Sequence, residues 1–179
     1  MQRQPQPVPL DADSLYISTS PLVNSGFHWA FIHIDKEGKA TRHHWVATNP
    51  NFVQGPEGYL ESMLPQGPQD TSRAGALPVL AFFKVTDYRP MPVADFRASC
   101  VAVFPQSRPT AQANRQAGIT CRTWVLGVLE SILGSTRAGA IEGAVTRQST
   151  TLNNTYTTDF LFSRRYETRV VALPVRIHS

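Results

Sequence analysis

Two aromatic and β-branched runs around a short polar centre constrain this chain more than any other feature. Phe27-His28-Trp29-Ala30-Phe31-Ile32-His33-Ile34 and Thr41-Arg42-His43-His44-Trp45-Val46-Ala47 flank Asp35-Lys36-Glu37-Gly38-Lys39. Such side chains suit the pleated, half-buried surface of a strand, and a Glu-Gly centre supplies the turn, so the segment predicts a β-hairpin. Ser14-Leu15-Tyr16-Ile17-Ser18 and Leu80–Tyr88 read as further strands. The clearest helix is Cys121–Leu133: Thr120 can cap it, and Val125, Val128, Leu129, Ile132 and Leu133 make one apolar stripe before Gly134 stops it. Val93–Phe104 reads as a short helix with Cys100 in its core face, and Ala138–Arg147 as a weaker one. After it come a polar stretch, STTLNNTYTT, and a β-rich tail from Phe160 onward. The Gly/Pro/Gln-dense residues 48–78 read as a long connection, able to act as a lid, with one short helix near Tyr59–Leu64. This order predicts an α+β domain over residues 14–179. In it an antiparallel sheet with a central hairpin packs on the Cys121–Leu133 helix and one or two shorter ones.

Composition narrows the function classes. With 179 residues, 41% of them apolar and only 17% charged, the chain is long enough for one buried core and too apolar for bulk disorder. No run approaches the length of a membrane span, and the Pro/Gln-rich residues 1–13 read as a disordered lead-in without a secretory apolar region. A cytoplasmic setting follows as the expectation, with both cysteines reduced. Residues 1–96 carry 7 basic and 9 acidic side chains, whereas 97–179 carry 10 and 4, and every basic residue of the second half is arginine. Guanidinium forks suit carboxylates, so an acidic small molecule is a conceivable partner. Basic runs interleaved with aromatics are missing, which argues against nucleic acid. The histidines divide between strand faces without acidic or cysteine ligands at suitable spacing, so no metal is expected, and no cofactor fingerprint is present. Oligomeric state is not legible.

Cys121 is the first candidate for chemistry. At the first turn of a helix its sulfur lies beside unpaired N–H groups and the positive end of the dipole, which favour thiolate, and Arg122 can add to that. His28 opens a strand with Ala30, Ile32 and Ile34 on its own face, and an imidazole there needs a partner that a thiol could be. If Glu37-Gly38 is a two-residue turn, His28 faces Ala47 and His43 faces Ile32. His43 then shares the face of His28 about 13 Å along the ladder, His44 points away, and Asn49 lies diagonal to His28. His43 and His44 are the candidates to orient His28, Asn49 would be closer if the strand reaches it, and a bulge would change this register. Arg122, Trp124 and Asn49 are the candidates for substrate contact, although Trp124 also fits packing beneath its helix.

HWAFIHI followed far downstream by CRTW at a helix start resembles small, largely uncharacterised fungal proteins with an HW…CRxW pattern. More distantly, the histidine-strand-then-cysteine-helix order resembles circularly permuted papain-like thiol enzymes, the NlpC-type peptidases and lecithin–retinol acyltransferase relatives, over residues 25–135. That resemblance implies a permuted papain-like fold with Cys121 as nucleophile and His28 as general base. The expected function is cysteine-dependent acyl transfer on an ester, thioester or amide. The alternatives are a non-catalytic binding module for a small molecule or protein on the same fold, and a biosynthetic enzyme, a cyclase or isomerase, without a covalent step.

Overall fold

A computed structural model describes residues 8–49, 51–65, 67 and 78–173. Four strands run consecutively, β1 (Ser14–Pro21), β2 (Phe27–Ile34), β3 (Ala40–Ala47) and β4 (Glu57–Met63), followed by β5 (Ala81–Lys84). Helices α1 (Val93–Ala102), α2 (Ala111–Gln116), α3 (Cys121–Leu133) and α4 (Ser135–Leu161) come next, and β6 (Arg169–Ala172) closes the described chain. The sheet order is β4-β3-β2-β1-β5-β6. All neighbours are antiparallel except β5 and β6, which are parallel, so the expected antiparallel sheet is in fact mixed. The α+β class holds.

Strand alternation divides the interior. Leu15, Ile17, Trp29, Phe31 and Phe83 face α1, α3 and α4 and form the main core with Phe96, Val125, Leu129 and Val145. Tyr16, Ile32, Ile34 and Phe82 face the other way and pack with Leu64, Val8 and Leu10. Asp11 joins that second layer, its carboxylate 2.6 Å from Lys84 Nζ and its N–H donating to the Tyr16 hydroxyl. Val8–Asp13, within the expected lead-in, are therefore tied to the sheet, and residues 1–7 lie outside the described residues.

The hairpin forms, but its turn holds one residue more than a two-residue loop allows. Ile34 pairs with Ala40, Phe31 with His43 and Ala30 with His44. Between them Asp35 organises the loop: its carboxylate accepts from the N–H groups of Glu37 and Lys39, and Gly38 takes a positive φ of 79°. One extra residue turns every β3 side chain to the opposite face. His43 consequently joins the helix-side core, and His44, not His43, shares the face of His28. This reverses the expected placement.

Three other expectations change. The stretch Tyr59–Leu64, expected as a short helix, lies mostly in edge strand β4, where Tyr59 and Glu61 point to the helix side beside β3. α2 had no clear sequence signal and is held by the Thr110 hydroxyl accepting from Ala113 N–H. The weak helix over Ala138–Arg147 extends through the polar stretch to Leu161, at the start of the expected β-rich tail. Its buried stripe is narrow, Ile141, Val145, Ser149 and Leu152 at helical spacing. Its threonines are compatible with helix because Thr150, Thr151 and Thr158 each donate to a carbonyl four residues back. The Ser149 hydroxyl meets that of Thr19 at 2.9 Å in the core, which ties the helix to β1.

Candidate functional site

A cleft of about 770 Å³ opens at one end of the sheet. Its floor is the start of β2 (Phe27–Trp29) and the end of β3 (Trp45–Ala47), and one wall is the approach to α3 through Ile119, Thr120 and Cys121. Thr146, Thr150 and Asn153 of α4 form the facing wall, with Glu57, Arg115 and Arg122 on the perimeter. This is the size and mixed lining of a small-molecule site.

Local chemistry fixes Cys121. The Thr120 hydroxyl accepts from Thr123 N–H while the Thr123 hydroxyl accepts from Thr120 N–H, a reciprocal cap that puts Cys121 at the first helical position. Its Sγ lies 3.9 Å from the Phe27 carbonyl oxygen, against the start of β2. Burial raises the thiol pKa, opposed by the backbone N–H groups of Trp29 and Arg122 beside the sulfur. Burial wins over the helix terminus, so the neutral thiol predominates at neutral pH.

The expected partners separate. The residues flanking His28, Phe27 and Trp29, pack toward the helices with Cys121, whereas the His28 ring lies on the other face, edge-on to His44 at 5.7 Å between centroids. No hydrogen bond joins His28 to Cys121. Burial holds the His28 pKa down at about 4, with the Arg42 charge adding to the effect.

His43 is buried in a separate cluster under α1. Its Nδ1 lies 2.8 Å from the Tyr59 hydroxyl, which donates to Glu61, and Glu61 in turn holds Arg97 through two bonds of 2.6 Å. His33 stacks on Phe96 and bonds to the Tyr88 hydroxyl at 3.0 Å. Tyr59, not His28, is thus the partner of His43.

Of the three substrate-contact candidates, only Arg122 borders the cleft. Its guanidinium lies 5.8 Å above the Trp29 ring and pairs with Glu142 at 2.7 Å. Trp124 is fully buried, with Nε1 donating to the Cys100 carbonyl at 3.0 Å and the ring stacked on Tyr59. Asn49 sits on an exposed turn, accepting from Asn51 N–H.

Two cleft residues unsingled by sequence carry the most telling chemistry. Trp45 is 4% exposed, and its Nε1–H has no hydrogen-bond partner; the buried hydroxyl of Thr146 likewise has none. Buried donors are almost always paired in folded proteins, so each orphan calls for an explanation. Thr146, Thr150 and Asn153 share a helix face at i, i+4 and i+7, a signal readable only once that stretch is recognised as helix.

Among the described residues, no group of three or more His, Cys, Asp or Glu side chains could hold a metal ion, and no helix is long and apolar enough to cross a membrane. No family model, curated protein or solved structure matches the chain.

Proposed function

We propose that the cleft binds a small, largely apolar molecule that presents a carbonyl or carboxylate oxygen. The observation that carries this reading is the pair of unpartnered buried donors, Trp45 Nε1–H and the Thr146 hydroxyl, on residues lining the same cleft. Both atoms are closed to solvent, so a ligand oxygen would reach them through a local shift of the cleft wall and would then satisfy donors that are already desolvated. Trp29, Phe27 and Ile119 supply apolar contact, and Arg115 and Arg122 favour an acidic group over a basic one. Calorimetric titration with decanoate and with decane-1-sulfonate, as apolar acids, tests it. Trp45→Phe keeps an aromatic side chain, though a smaller one, and removes the donor, and should weaken binding about tenfold, as should the near-isosteric Thr146→Val. Absence of binding by either acid, or unchanged affinity in both variants, would contradict the reading.

A second reading is cysteine-dependent acyl transfer in the same cleft, on the permuted papain-like plan. It draws on Cys121 lining the cleft with the N–H groups of Trp29 and Arg122 beside its sulfur. There the thiolate would attack an acyl carbonyl, those N–H groups would hold the oxyanion, the alcohol, thiol or amine would leave with the proton taken from Cys121 as the thioester forms, and water would then cleave the thioester to release the acid and restore the thiol. It requires a base to take the thiol proton, and His28 would have to reach Cys121 to serve. The binding reading needs no base.

A further inference from the structure

From three separate segments that project at the same end of the molecule, we infer that the cleft-bearing end docks on an anionic lipid surface. The strand registers define that end: β1 finishes there against the start of β2, β3 finishes there against the start of β4, and β5 and β6 both begin there. The β1–β2 turn, closed by Leu22 N–H donating to the Gly26 carbonyl, holds Val23 outward at 98% exposure with Leu22 beside it. The β3–β4 connection exposes Phe52 and Val53.

α4 supplies the third projection. Asn153 lines the cleft, and the helix continues past it for two more turns, roughly 10 Å, before the chain returns to the start of β6. Tyr166 and Thr168 anchor that return by donating to the carbonyls of Leu80 and Val79. At the tip stand Phe160, Leu161 and Phe162, 72%, 72% and 69% exposed. Three consecutive bulky apolar side chains spread around a helix end rather than forming a flat stripe, so they fit insertion between headgroups better than a protein face.

Charge selects the lipid class. Arg164 and Arg165 directly follow the tip, and the Arg164 guanidinium lies 5.1 Å from the Phe162 ring centroid. In the three ion pairs at this end, Arg115–Glu57, Arg122–Glu142 and Arg164–Asp159, the guanidinium is the more exposed partner and the carboxylate the more covered one. These pairs are neutral in sum with the guanidinium the more exposed member, and the excess charge beside the apolar tip comes from Arg165 and Arg169 against Glu167, a modest positive balance that suits an anionic bilayer.

The inference is independent of what occupies the cleft. Co-sedimentation of the full chain with vesicles tests it. The chain should pellet with phosphatidylcholine–phosphatidylserine vesicles, less so as salt rises, and remain in solution with phosphatidylcholine alone. Phe160→Ser with Phe162→Ser should lower binding at least about tenfold, because each inserted ring contributes about a decade or more. Val23→Ser, on a different segment, should also weaken it, and unchanged circular dichroism would confirm that both variants fold. Failure of the parent to pellet, equal binding to both vesicle types, or binding by both variants as strong as the parent's would overturn the inference. A parent dimer that the double substitution converts to monomer would overturn it too, by assigning the face to a second copy.

Discussion

Cys121 and Cys100 share a chemistry and differ in setting. Cys100 is 1% exposed on the buried face of α1, and burial raises its thiol pKa far above the ordinary value, whereas Cys121 lines the cleft with backbone N–H groups beside its sulfur. Iodoacetamide should therefore modify Cys121 well before Cys100, as peptide mapping can read. A bound apolar acid should slow the modification of Cys121 alone; labelling that ignores such a ligand would contradict the cleft assignment. The residues that bring the site together are small or polar, and that is why they were hard to see. Cys121 stood out from its place at a helix start. Trp45 and Thr146 do not, because an indole in a strand reads as core and a lone threonine in a weak helix carries no signal of its own.

At the scale of elements, two contacts hold the site in place. Ser149 is the polar member of the buried stripe of α4, and its hydrogen bond to Thr19 sets the helix on the sheet. Ser149→Ala leaves the Thr19 hydroxyl buried without a partner and should cost about 1–3 kcal/mol in chemical denaturation, much of it recovered when Thr19→Val is added. The second contact is the His43–Tyr59–Glu61–Arg97 chain that joins β3, β4 and α1. Burial, with the neighbouring His33, pushes His43 from 6.5 down to about 4 despite Glu61. The unfolded imidazole takes a proton near its ordinary value and the native one only near pH 4, so between those values the unfolded chain binds more protons. Stability should accordingly be full above about pH 6.5 and fall toward pH 4, by up to about 3 kcal/mol from His43. Denaturant midpoints across that range, falling less steeply in His43→Phe, would check it, the remaining slope coming from His28, His33 and His44, whose pKa values burial also lowers. Element identity is legible where the signal is strong: aromatic and β-branched runs about a Glu-Gly centre give β2 and β3, and an apolar stripe between the Thr120 cap and Gly134 gives α3 to its bounds. What was not legible was register and length. One residue in the Asp35–Lys39 loop decided which face His43 occupies, and hydrogen bonds from threonines back to their own helix let α4 run through a stretch that propensity alone assigns to loop.

For the whole molecule, the arrangement is a sheet with its helices on one face and its ligand cleft at one end, where β2, β3, α3 and α4 converge. Because that cleft joins segments from Leu22 to Asn153, occupancy should stabilise the entire fold. At decanoate concentrations near one hundred times its Kd, the gain should be about 2.7 kcal/mol, seen as a rise in Tm that Trp45→Phe diminishes. The resemblance to permuted thiol enzymes rests on the order of short motifs, and order does not determine on which side of a strand a side chain emerges. That question has a direct answer in the pH dependence of Cys121 alkylation, measured in the parent and in His28→Ala. With the two side chains on opposite faces of β2, the rate should follow a single thiol ionisation above the ordinary cysteine value, unchanged by the substitution. An ionisation well below that value, lost in His28→Ala, would contradict the account and restore the imidazole as the base for the sulfur.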